Sequence, residues 1–130
     1  MTYTLEVCVD SVASALAAKR GGADRLELCA DLIIGGTTPS LALVRQVKAE
    51  TGLPVRTLLR PRFGDFCYDR YELAQMAETA AALVQAGADG IVTGGLTPAG
   101  RPPAPRRALP CSVGWWKPPG LTLRSWWGRV

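Results

Sequence analysis

Between Tyr3 and Thr93, short extended runs alternate with helical stretches, and this alternation constrains the fold more than any other feature of the chain. Residues 3–9 have period two, with Leu5, Val7 and Val9 on one face and Thr4, Glu6 and Cys8 on the other. A helix is predicted over 13–20, capped by Asp10 or Ser11 and stopped by Gly21-Gly22. Residues 25–29 form a second predicted strand. Beyond Gly35-Gly36, Thr38 is the expected N-cap, with Pro39 at the first helical position, of a helix over 40–50 in which Leu41, Val44 and Val47 share a face. Thr51-Gly52 closes that helix, and 54–59 reads as a third strand. A loop containing Gly and Asp leads to a helix over 71–86, ended by Gly87, and residues 90–93 read as a fourth strand.

Strand and helix in strict alternation with short connections predict an α/β fold of parallel βα units. Four strands and three helices, at roughly 23 residues per strand-to-strand step, come close to half of a (β/α)8 barrel of about 250 residues. The rival is an open doubly wound sheet, but its fingerprint G-x-G-x-x-G appears nowhere. The expectation is the N-terminal half of a TIM barrel. In a closed barrel the first strand pairs with the eighth and the fourth with the fifth. Both outer strands are therefore expected as open edges, with an apolar interior facing water and a homo-oligomer or insoluble product as the result.

The 130 residues divide into two compositions near Gly94. All 11 acidic residues and nine of the 15 Lys and Arg precede it; the other six basic residues, all four Trp and seven of the ten Pro follow it. The boundaries read as 1–101 for a folded body and 102–130 for a Pro-, Arg- and Trp-rich tail, disordered or aberrant. The net charge of +4 belongs to the tail, so a nucleic-acid partner is not expected for the mildly acidic body. Trp115-Trp116 and Trp126-Trp127 beside Arg could lie on a membrane surface or stack on single-stranded nucleic acid. Pro118-Pro119, Gly114 and Gly120 argue against a membrane helix. The preferred reading of the tail is out-of-frame translation of a GC-rich gene. No apolar stretch spans a bilayer and no signal peptide is read, so no membrane association, a cytoplasmic address and reduced cysteines are expected.

Leu5-Glu6-Val7-Cys8 returns 21 residues later as Leu26-Glu27-Leu28-Cys29. In each strand Glu and Cys share a face, and in-register pairing is expected to set Cys8 beside Cys29 and Glu6 beside Glu27.

Five blocks carry a family resemblance: Leu-Glu-Val-Cys-Val-Asp-Ser (5–11), Gly-Gly-Ala-Asp-Arg-Leu-Glu-Leu-Cys (21–29), Gly-Gly-Thr-Thr-Pro-Ser (35–40), Arg-Pro-Arg-Phe-Gly-Asp-Phe-Cys-Tyr (60–68) and Gly-Ala-Asp-Gly-Ile-Val-Thr-Gly (87–94). In order and spacing over 3–101 they resemble the CutC family, the copper homeostasis proteins. The resemblance implies a cytoplasmic TIM barrel of roughly twice this length. It also implies copper, as Cu(I), as the bound ion and Cys8 and Cys29 as its ligands. Phe63 departs from the family, which has Gly there. Beyond Arg101 the resemblance stops, the family's Thr-Phe-His-Arg-Ala-Phe-Asp run is absent, and the chain has no His. A truncated member of the family is therefore expected.

Two thiolates can hold Cu(I) at low coordination number, whereas the bland alternative makes Cys8 and Cys29 small buried hydrophobes. A tetrahedral zinc site lacks its Cys-x-x-Cys or His partners. Glu6 and Glu27, with Arg60, Arg62 and Asp65 at and after the third strand's end, are candidate catalytic groups for a barrel lyase or isomerase acting on a small anionic substrate. The favoured alternative pairs the two glutamates with these arginines as an ionic layer. Gly35-Gly36-Thr37-Thr38-Pro39-Ser40 reads as loop-and-cap chemistry rather than an anion site. Cys67 and Cys111 have no matching partner. The functional expectation is Cu(I) binding in copper homeostasis; the alternatives are the barrel enzyme and a product without function.

Overall fold

The computed structural model describes residues 3–101 and the backbone of Arg124–Ser125. In chain order these form β1 (Glu6–Val9), α1 (Val12–Arg20), β2 (Arg25–Leu28), a short 3-10 turn (Leu32–Ile34), α2 (Leu41–Thr51), β3 (Val55–Leu58), α3 (Arg70–Gln85), β4 (Gly90–Thr93) and β5 (Arg124–Ser125). The strands make one parallel sheet in the order β1-β2-β3-β4-β5. Neighbours in sequence are neighbours in the sheet through β4, the common arrangement of consecutive βα units. The α/β expectation holds.

Alternation decides which face is covered. Val9, Leu26, Leu28, Val55, Thr57 and Ile91 are buried, together with Ala15 of α1, Val44 and Val47 of α2 and Met76 and Leu83 of α3. Each large apolar side chain so covered contributes about 1.5–3 kcal/mol. The intervening positions turn the other way: Glu6, Arg25, Glu27 and Arg56 are half-buried and Cys8 is exposed. The apolar face therefore lies under the helices, and the face that a closed barrel would enclose is charged. The expected apolar interior facing water is overturned by the period-two pattern itself.

The expectation of two open edges is also corrected. β4 pairs on its outer side with β5, through Val92 with Arg124 and Thr93 with Ser125. The remainder of the tail reading, including the paired tryptophans and Cys111, lies outside the described residues.

The helix ends follow local chemistry. Ser11 caps α1 in a reciprocal box with Ser14. α2 starts at Leu41, with Ser40 as its cap accepting from the Leu43 N–H, so neither Thr38 nor Pro39 takes its expected role. The Thr38 hydroxyl is engaged elsewhere: it accepts from the Arg60 N–H at 2.8 Å and donates to the Arg60 carbonyl at 2.9 Å. Leu41 is exposed in the first turn and leaves the buried face to Val44 and Val47. Asp69 caps α3 in a box with Glu72.

Two Gly-Ala-Asp triplets, 22–24 and 87–89, do the same work at the strand starts. The Asp24 carboxylate accepts from the Leu5 N–H at 2.7 Å, and the Asp89 carboxylate accepts from the Val55 N–H at 2.7 Å. Asp89 also accepts from Lys48 Nζ at 2.7 Å, tying α2 to β3 and β4. Replacing Asp89 with Ala should lower unfolding stability by about 1–2 kcal/mol in urea denaturation, because a strand N–H loses a charged acceptor. Asp89→Asn keeps an acceptor oxygen and should lose less than half of that.

Candidate functional site

The chemistry-bearing side chains gather on the open face of the sheet and on the loops at its C-terminal end. The β1–β2 ladder pairs Glu6 with Arg25, Cys8 with Glu27 and Val9 with Leu28. The two Glu-x-Cys segments are therefore offset by two residues rather than aligned. Cys8 stands level with Glu27, and Cys29, whose N–H donates to the Val9 carbonyl at 2.9 Å, lies past the end of the ladder. The cysteines are diagonal neighbours on one face, and direct opposition is ruled out. Stagger between strands is what closing a barrel demands, and it displaces the register from the simple alignment.

Glu6 is the hub of the ionic layer. It pairs with Arg25 and, at 3.5 Å, with Arg56, and it hydrogen-bonds to Glu27. An ionic layer thus exists, but its arginines are Arg25 and Arg56 rather than Arg60 and Arg62. The pattern that identifies them is period two: Arg25 alternates onto the face of Glu27, and Arg56 follows from the β2–β3 register, which pairs Glu27 with Arg56. The Glu27 carboxyl is pushed above its ordinary range by burial first, then by the Glu6 charge and the bond to Glu6, against a smaller opposing effect of Arg56.

The thiols respond to the same surroundings. Cys8 is raised by burial, then by the charges of Glu27 and Glu6. Cys29 is pushed up to about 12, chiefly by burial and next by Glu27. Cys29 is only 2% exposed, and Gly36 stands over it. A Cβ on Gly36 would lie 3.6 Å from the Cys29 sulfur and 2.9 Å from Leu58 Cδ2, and its φ is +86°. Glycine there lets the loop pass close over the sulfur. Cys8, Cys29 and Cys67 are free thiols.

Arg60 and Asp65 do not join Glu6 and Glu27 in one constellation. The Arg60 guanidinium donates to the carbonyls of Gly35, Gly36 and Gly64, suturing the loops after β2 and β3. Asp65 accepts from Arg62 and from the Cys67 N–H, and Arg62 also holds Glu72. Thr37 donates to Asp31, so the 35–40 segment is engaged as loop and cap. A cavity of about 200 Å3 lined by Thr38, Leu59, Pro61, Gln75, Met76 and Thr79 carries no titratable group. Among the described residues no three His, Cys, Asp or Glu group together as metal ligands. No helix among the described residues is long and apolar enough to cross a membrane.

Comparison with known proteins gives one consistent result. The human copper homeostasis protein cutC homolog is 50% identical over 95 residues, covering 73% of this chain and 35% of its own length. The CutC family protein of Vibrio atlanticus is 42% identical over 100 residues, covering 77% of this chain and 40% of the relative. The crystal structure of CutC from Streptococcus agalactiae superposes with a TM-score of 0.68 at 32% identity, over 75% of this chain and 48% of that one. The chain thus spans less than half the length of these relatives. A sequence profile of the CutC family matches residues 3–104, well over half of the chain. The chain belongs to the CutC family.

Proposed function

We propose that this chain acts in copper homeostasis by holding cuprous copper as cargo between Cys8 and Cys29. The observation that carries the reading is two free thiols on one sheet face, at the C-terminal ends of adjacent parallel strands. Thiolates are soft ligands that select Cu(I), and two suffice for it. Cys8 is exposed and available to an arriving ion, while Cys29 is the buried second ligand beneath the loop at Gly36. Neither glutamate is soft enough to compete. The names of the relatives point to the same metal. A cytoplasmic site of action is part of this proposal, supported by the need of copper-binding thiols to stay reduced.

Anaerobic titration of the reduced chain should give about one Cu(I) per chain, with Cys8→Ser and Cys29→Ser each weakening binding at least tenfold. Undiminished binding by the double variant would assign copper elsewhere and overturn the reading.

The pH dependence has a defined sign. Both thiol pKa values are raised, so both sulfurs hold protons at neutral pH and copper must displace them. Apparent affinity should rise with pH, approaching tenfold per unit for each thiol displaced, over about pH 6 to 8. A flat profile would remove the two thiols from the site.

A second copy of the chain is the proposed protein partner. Among the described residues β1 pairs only on its β2 side, which leaves its other edge for a strand of a second copy. Sedimentation at micromolar concentration should return a dimer or larger species, and a monomer would refute the pairing.

A further inference from the structure

Arg60 is 8% exposed, yet among the described residues it has no carboxylate partner. Glu6 holds Arg25 and Arg56, while Asp65 and Glu72 hold Arg62. A buried guanidinium is costly unless an anion or a full set of acceptors replaces the lost water. Here compensation is partial. Nη1 donates to the Gly35 and Gly36 carbonyls at 3.3 and 3.0 Å, and Nη2 donates to the Gly64 carbonyl at 3.0 Å. Phe66 lies against the cation, with its ring centroid 4.7 Å away. Carbonyls and a ring bring no net negative charge, and the buried Nε has no acceptor.

A second orphan lies on the same loop. The Tyr68 hydroxyl is buried without a partner, and the loop between it and Arg60 closes on itself, with Arg62 Nη2 donating to the Cys67 carbonyl at 3.1 Å. Both groups are hydrogen-bond donors, and both follow the C-terminal end of β3, the end at which parallel barrels receive their ligands. We propose that Arg60 Nε and the Tyr68 hydroxyl form a binding position for a small oxyanion, a phosphate or carboxylate group, whose charge balances the buried guanidinium. Charge-assisted bonds from a planar guanidinium suit such a group. Phe63, Gly64, Asp65 and Phe66 are all exposed, so the anion enters by displacing loop atoms that face solvent. Asp65, the carboxylate closest in sequence, does not take the place, because Arg62 and the Cys67 N–H already engage it. This position uses neither Cys8 nor Cys29 and stands apart from the copper reading.

The test is a titration of the full-length 15N-labelled chain with inorganic phosphate, with acetate and chloride as parallel arms at constant ionic strength. The Arg60 Nε–H resonance should shift saturably with phosphate or acetate and not with chloride, and the tighter of the two identifies the oxyanion. Tyr68→Phe should weaken binding about tenfold, one bond to a charged ligand being lost. It should leave thermal unfolding unchanged or raised, because it deletes an unpaired buried hydroxyl. No saturable shift with either oxyanion, an equal response to chloride, or unaltered affinity in a folded Tyr68→Phe variant would each overturn the proposal.

Discussion

Leu26, Leu28, Val55 and Ile91 lie under the helices with almost no exposure, and strict alternation then turns every intervening side chain to the opposite face. The apolar stack supplies most of the favourable burial of the molecule. The same geometry obliges Glu6, Arg25, Glu27 and Arg56 to share the other face, where they neutralise one another. The ionic layer is therefore a consequence of the core. Cys8 stands on this face, where partial burial first and the Glu27 and Glu6 charges next raise the pKa of its thiol.

How far the sequence discloses this arrangement depends on the range of each interaction. The order of strands and helices is legible because apolar period and Gly, Ser and Asp punctuation act within a few residues. β4 has its expected bounds, Gly90–Thr93, and α1 is capped at Ser11 as its composition suggests. The offset of β1 against β2 is set by sheet stagger across the whole structure, and no local pattern reports it. For that reason the repeated Glu-x-Cys motif suggests opposed cysteines when they are diagonal. Thr38 fails as a helix cap for a similar reason: a residue 22 positions away, Arg60, engages its hydroxyl.

The loops at the C-terminal end of the sheet are joined by one arginine. Arg60 reaches carbonyls of two different connections, so the turn above Cys29 and the loop bearing Phe66 are held as one unit. The match to the CutC family covers this whole region, residues 3–104.

The paired aspartates, Asp24 and Asp89, have a consequence for how the chain reaches this state. Each fastens a strand start to the neighbouring strand, across 19 and 34 residues. From β1 to β4, every strand joins the one before it in sequence. Contact order for these four strands is therefore low for a parallel sheet, and no strand need wait for a distant partner. Growth can proceed unit by unit from the N-terminus, each carboxylate acting as a latch on the pairing just made, while the chain is still being synthesised.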